Sequence, residues 1–260
     1  MQFIDTHTHL YDEKFDEDRK AAVCRAVEAG VTRMILPAVD SASHEALSAL
    51  AGMHPDHCFA AIGFHPTSVN DNPDFRQELA LVEKILENPP LPLYAVGETG
   101  LDLYWNRGFL REQEEALRFQ IELAIRYDLP VILHTREAFE EIIRVVSDYR
   151  SRRLRGVFHS FAGTVEQYRI MRELGDFRFG IGGVVTYKNS PVAQVVAGMD
   201  LQDIVLETDA PYLPPVPFRG KRNESAHIVY VAEKIAEIKG LPVEEIAQAT
   251  TSNAEQLFRI

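Results

Sequence analysis

Residues 93–135 read LYAVGETGLDLYWNRGFLREQEEALRFQIELAIRYDLPVILHT, and the order of patterns in them decides the fold class. The run LYAVGE is apolar until it meets Glu98. Segment 110–128 then spaces Leu117, Ile121 and Ile125 four residues apart, with charges on the remaining face, which marks an amphipathic helix. A second apolar run, PVILHT from 130, follows and contains His134. Runs this apolar leave no solvated face, so strand, helix and strand in this order predict parallel strands covered by helices.

The same kind of run recurs along the chain: QFIDT from 2, RMILPAV from 33, CFAAIG from 58, GVFHS from 156, FRFGIGG from 177 and DIVLETD from 203, eight with the two above. Between them EKILEN (83–88), AFEEIIRVVSDYR (138–150) and TVEQYRIMRELG (164–175) carry helical spacing. Eight strand–helix units in 260 residues predict an α/β fold closed as a TIM (β/α)8 barrel. Segments 224–240 and 242–260 predict two extra C-terminal helices that complete the outer ring. No low-complexity linker, long repeat or charge block interrupts residues 1–260, so a single domain is expected. The stretch APYLPPVPFRG (210–220) is a loop, because Pro214, Pro215 and Pro217 are excluded from helix interiors and central strands. Its place after the eighth strand makes it a wall of the site.

Lys and Arg number 27 against 39 Asp and Glu, a formal charge of −12, which opposes a broad, nonspecific grip on a polyanion. Any attraction to nucleic acid must be local. Cys24 and Cys58 lie outside metal-binding spacings and are expected to be two buried thiols in a reducing compartment. The opening MQFIDTHTHL lacks the regions of a signal peptide, and no apolar run approaches the ~18 residues of a membrane span. A cytoplasmic location without membrane association is expected, and no obligate protein partner is implied.

His7 and His9 are two apart on the expected first strand, so alternation points both imidazoles the same way. Other ligand-type residues also fall at strand ends: Glu98 after LYAVG, His134 after PVIL, His159 after GVF and Asp209 after IVLET. In a TIM barrel these ends converge on one mouth. Carboxylates and imidazoles brought together there need something positive between them. A divalent metal resolves this, and mixed oxygen and nitrogen donors leave zinc, magnesium and manganese open. Six ligand-type residues exceed one catalytic coordination sphere, so two ions per chain are expected, with Glu98 able to bridge them.

These residues sit in motifs that together resemble the TatD-type metal-dependent deoxyribonucleases of the amidohydrolase superfamily. The motifs run nearly end to end: DTHTHL (5–10), GFHP (63–66), GETGLD (97–102), HTREA (134–138), HSFAG (159–163), GGVVTYKNS (182–190) and ETDAPYLPPVPFRGKRNES (207–225). The resemblance implies a TIM barrel with His7, His9, Glu98 and Asp209 on one metal, and His134 and His159 with Glu98 on the other. It also implies a DNA exonuclease acting from 3′ ends of single-stranded or frayed strands. Leu103, Phe218 and Ser225 stand where family members often carry tyrosine, histidine and proline, in loops expected to contact substrate and therefore to bear on specificity.

Around this set, Asp209 is the candidate general base, and Glu98 and His65 are further catalytic candidates. His65 could bind phosphate or shuttle a proton, or simply tie down the turn before Pro66. Glu207 is expected to support a histidine ligand from behind. Arg219, Lys221 and Arg222 cluster in an acidic chain and are expected to meet substrate phosphates, with Asn223 either beside them or holding their loop. Tyr104 and Trp105 could stack on a base or plug a loop. Two rivals remain: a hydrolase of a small ester, lactone, amide or phosphoester, and a non-catalytic nucleic-acid-binding protein with an idle metal site.

Overall fold

The computed structural model describes residues Met1–Ile260. Eight strands alternate with helices: β1 (Phe3–Asp5), β2 (Val31–Pro37), β3 (Cys58–Ile62), β4 (Leu93–Asp102), β5 (Val131–Arg136), β6 (Arg155–Phe158), β7 (Asp176–Ile181) and β8 (Ile204–Leu206). They pair in sequence order, each parallel to the next. Closure between β8 and β1 is made just past the strands, where Thr6 N–H donates to Leu206 O at 3.0 Å and Thr8 bridges Ala210. The expected (β/α)8 barrel is the observed fold.

The covering helices are α1 (Arg19–Glu28), α2 (His44–Met53), the short α3 (Pro66–Val69), α4 (Phe75–Glu87), α5 (Leu110–Arg126), α6 (Phe139–Ser147), α7 (Val165–Met171), α8 (Pro191–Gly198), α9 (Ile228–Lys239) and α10 (Val243–Phe258). In α5 the predicted stripe is the buried one: Leu117 and Ile121 are inaccessible, while Arg118 and Glu122 reach outward to ion pairs. A core of 62 buried residues fills the layer between sheet and helices. Inside the barrel, Ile4, Ile35, Ile132, Val157 and Val205 form a smaller core with Ala254, Leu257 and Phe258. The second tail helix, α10, therefore does more than complete the ring, since its last turn seals the barrel's N-terminal end. No helix is long and apolar enough to cross a membrane.

Three sequence expectations need correction. β1 stops at Asp5, so His7 and His9 lie beyond it; they still face one way, because the Thr8–Ala210 bridge continues the alternation. β4 runs to Asp102, placing Glu98 inside a strand rather than at its end. Cys58 is buried but Cys24 is exposed on α1.

Candidate metal centre

The C-terminal mouth gathers all six predicted ligand residues around Glu98, which is 3% exposed. Its two oxygens divide the imidazoles between them. Oε2 lies 3.2 Å from His7 Nε2 and 3.8 Å from His9 Nε2. Oε1 lies 3.0 Å from His134 Nδ1, 3.4 Å from His65 Nε2 and 3.8 Å from His159 Nε2. Asp209 faces the same space from beyond β8, with Oδ1 3.6 Å from His9 Nε2 and 3.9 Å from both His7 Nε2 and His159 Nε2.

What stands behind each ring decides which nitrogen is bare. Tyr11 OH donates to Pro37 O at 2.6 Å, so its oxygen accepts from His9 Nδ1 at 2.8 Å and leaves Nε2 without a proton. Glu207 is buried and accepts from His159 Nδ1 at 3.1 Å and from the N–H of Ser160 at 2.7 Å. Asp102 accepts from His134 Nε2 at 2.9 Å, which turns Nδ1 toward Glu98. Where its inner nitrogen carries no proton, each of these rings aims a lone pair at a carboxylate, and His7 Nε2 lies only 3.1 Å from His9 Nε2. Lone pair against carboxylate is repulsive unless a cation lies between. The donor set thus fits divalent metal, and three overlapping groups, His7–His9–Glu98, His7–His159–Asp209 and His65–Glu98–His134, each keep these atoms within 4.8 Å, although in the third only Glu98 and His134 have a lone pair to offer.

Protonation of the rings tells the same electrostatic story. Burial would raise the Glu98 carboxyl, but His7, His65, His159 and the hydrogen bond from His134 outweigh it and hold it well below the ordinary range. For His159, burial works downward, yet Glu207, Glu98 and Asp209 carry it up to about 10. His7 is depressed to about 4, by burial and then by the neighbouring His159, whose ring stacks on it at 3.4 Å. The surrounding carboxylates favour positive charge in this pocket, whether a proton on His159 or a cation at the centre.

Small residues make room for this arrangement. A Cβ on Gly180 would run into the Glu207 carboxylate, and Gly100 (φ 141°) lies where a Cβ would strike the His134 backbone. Beneath the mouth, Asp5 accepts from Thr208 N–H (3.0 Å), Thr208 Oγ1 (2.6 Å) and His7 N–H (3.3 Å), tying both ligand-bearing segments together.

His65 ties down the turn that opens α3. Its Nδ1 accepts from Thr67 N–H at 3.1 Å and caps α3, so the proton sits on Nε2, the nitrogen that faces Glu98. Asp102, Tyr11 and Asp5 went unremarked in the sequence. The signal for the first two was available: Asp102 is four residues after Glu98 and Tyr11 two after His9, even spacings that share a face along an extended chain.

The predicted substrate contacts divide. Tyr104 and Trp105 are 49% and 67% exposed beside the mouth, with the Arg136 guanidinium 3.7 Å and 5.6 Å from their ring centres. Asp102 Oδ1 accepts the backbone N–H of Tyr104 at 3.0 Å, joining this shelf to the His134 support. Arg219, over the Tyr187 ring at 4.4 Å, and Lys221 are exposed on the proline-rich loop. Arg222 is not available: it forms ion pairs with Asp18 (2.7 Å) and Glu224 (2.8 Å). Asn223 is fully buried and its amide donates to Thr208 O and Tyr212 O, both at 2.7 Å, so it holds the loop instead of meeting substrate. Leu103 belongs to the core, and Ser225 is buried 3.2 Å from Thr8 Oγ1, so neither contacts substrate as expected. Phe218 stacks on His227 at 3.9 Å.

Comparison with known proteins places the chain in a family. The sequence model of the TatD related DNase family matches residues 4–259. The chain is 36% identical over 258 residues to YabD of Bacillus subtilis, an uncharacterized metal-dependent hydrolase, covering 99% of each. It is 35% identical over 260 residues to YjjV of Escherichia coli, of the same description, covering 100% of this chain and 98% of the relative. The crystal structure of YjjV, a TatD homolog, superposes with a TM-score of 0.91 over 99% of this chain and 98% of that one. An uncharacterized amidohydrolase from Saccharomyces cerevisiae, only 17% identical, shares the fold with a TM-score of 0.88 over 99% and 100%.

Proposed function

The chain belongs to the TatD related DNase family and is a metal-dependent hydrolase, and we propose that it hydrolyses phosphodiester bonds of DNA from the 3′ end of single-stranded or frayed strands. The observation that supports this most is the split Glu98 carboxylate, one oxygen toward His7 and His9 and the other toward His134, His65 and His159. Two divalent ions would be held by His7, His9, Glu98 and Asp209 on one side and by Glu98, His134 and His159 on the other, with His159 also in reach of Asp209. Zinc, magnesium and manganese all suit parts of this donor set. When bound, such ions polarise a phosphate oxygen and acidify water.

The chain's own groups do the rest. Asp209 takes the proton of the attacking water as its oxygen bonds to phosphorus and the bond from phosphorus to the 3′-oxygen breaks. The released 3′-oxygen takes a proton from solvent, leaving a 5′-mononucleotide and a shortened strand. His65, with its proton on Nε2, donates to a phosphate oxygen. Tyr104 and Trp105 stack on the terminal base, and Arg219 and Lys221 meet the following phosphates. The acidic remainder of the surface discourages long duplex and favours ends.

The test is single-stranded DNA labelled at either end, incubated with each metal and with chelator. Stepwise, metal-dependent shortening from the 3′ end supports the reading. Turnover of activated esters or lactones with DNA left intact would favour the small-substrate rival, which gains from Arg222 being committed to Asp18 and Glu224. Binding without any metal-dependent turnover would favour the idle-site rival.

A further inference from the structure

At the barrel end opposite the mouth, a cavity of about 890 Å³ lies among the residues that open β6 and β7 and those that end the chain. Arg150, Arg152, Arg153, Arg155 and Arg259 line it, with Asp128 and Asp176. Arg155 is four residues from His159 along β6, so the cavity stands about 13 Å below the metal centre at the rise of a strand. It cannot share that site's substrate atoms.

The charge balance here inverts that of the protein. Asp128 is shared by Arg155 and Arg259, both at 2.5 Å; Asp176 pairs with Arg178 at 2.7 Å and Glu122 with Arg152 at 2.5 Å. Six arginines therefore meet three carboxylates, in a chain whose formal charge is −12. Arg150 and Arg153 form no ion pair and are exposed at the rim, while Nε of Arg155 is a buried donor with no acceptor. Like charges crowded in this way repel, and an anion between them removes the penalty.

We propose that this cavity is a second ligand site, taking a small molecule that bears two or more phosphate groups. Guanidinium forks match phosphate oxygens two at a time, which makes arginine the fitting donor for such a group. The volume lies within the ~300–1,000 Å³ of small-molecule sites. Arg150 and Arg153 supply the free forks, while Asp128, exposed at the edge, is held by Arg155 and Arg259. The half-buried Ile125 adds an apolar wall on which the base of a nucleotide can lie.

Phenylglyoxal footprinting of the metal-loaded protein, read by mass spectrometry, tests the site by position. With magnesium in excess, ADP or pyrophosphate is expected to reduce modification of Arg150 and Arg153 severalfold and to leave Arg76 and Arg144 unchanged. Protection by ADP alone would show that the apolar wall contributes, and protection by both that phosphate suffices; either supports the proposal. In parallel, Arg150→Ala/Arg153→Ala should weaken ADP binding at least tenfold with metal content unaltered. Absence of protection by either ligand up to about 1 mM, the weak end of specific binding, would overturn the proposal. So would undiminished binding in the double variant, or protection only by a single-stranded oligonucleotide, which would make the patch a nucleic-acid contact.

Discussion

Asp102 Oδ2 sits 2.9 Å from His134 Nε2, and the opposite nitrogen of that ring is thereby left 3.0 Å from Glu98 Oε1. A carboxylate behind an imidazole fixes its tautomer and plane, and losing such a partner weakens a metal site roughly 10–100-fold. Asp102→Ala is expected to show a loss of that size in chelator competition. Asp102→Asn should lose less, because its amide oxygen can still accept from Nε2–H. Wild-type metal affinity in the Ala variant would mean that packing alone orients the ring.

Gly180 makes a related test that leaves every polar residue in place. A methyl group there would displace the Glu207 carboxylate, which holds His159 Nδ1 at 3.1 Å. Gly180→Ala is therefore expected to reproduce the metal-affinity defect of Glu207→Ala, and the pair together should be no worse than either alone. Additive losses in the double variant would show that glycine serves the strand and not the carboxylate.

The candidate metal cluster was legible because its residues end apolar runs, and a parallel barrel brings such ends together whatever their separation in sequence. Less legible was anything that depends on a distant partner. Arg222 reads as a free cation among RGKR, yet Asp18, 204 residues earlier, holds it. Glu98 reads as the end of its strand, whereas β4 continues to Asp102, with Gly97 and Gly100 letting neighbouring backbone approach closely. Spacing hinted at the support residues Asp102 and Tyr11, but only the structure shows which nitrogen of each ring they occupy.

Arg222 should matter to stability more than to DNA. Hydrogen bonds from Arg222 and Arg25 hold the Asp18 carboxyl far below its usual range; Glu224, which burial would raise, is also lowered by the same two arginines. Groups whose folded pKa is depressed stabilise the fold above their unfolded value near 4 and lose that contribution as pH falls through the folded value. Arg222→Ala is expected to cost about 0.5–1 kcal/mol at neutral pH, the upper scale of solvent-screened ion pairs. The gap to wild type should narrow as pH drops from about 5 toward 2. Lys221→Ala should instead leave the urea midpoint unchanged and raise KM for DNA. A constant gap across that pH range would remove the ion pairs as its cause.

The two cysteines should separate cleanly by reactivity. Burial pushes the Cys58 thiol up to about 12, whereas Cys24 is exposed on α1. Since the thiolate is the reactive form, native protein at neutral pH is expected to release one equivalent from Ellman's reagent, and urea-unfolded protein two. Cys24→Ser should abolish the native signal. Two fast equivalents in the native state would show that β3 opens locally.

Asp209 is either a ligand alone or also the base that accepts the proton of the attacking water. Its contacts with His7, His9 and His159 all run to Oδ1, leaving Oδ2 uncommitted to these rings. Asn keeps a carbonyl oxygen and nearly the same shape, so Asp209→Asn can still occupy a coordination position, but it has no carboxylate to take a proton. Near-normal folding and substantial metal retention are expected, with kcat lowered by roughly 10² or more, the scale of losing a positioned base. Higher pH should restore part of the rate, because hydroxide does not need the base. Metal content has to be measured in the same samples, since a rate that falls in step with metal loss would reveal a ligand role only. Full kcat in metal-loaded Asp209→Asn would remove the base assignment. His65 would be a poor replacement in the tautomer seen here, because its Nδ1 is taken by Thr67 and its Nε2 already carries the proton.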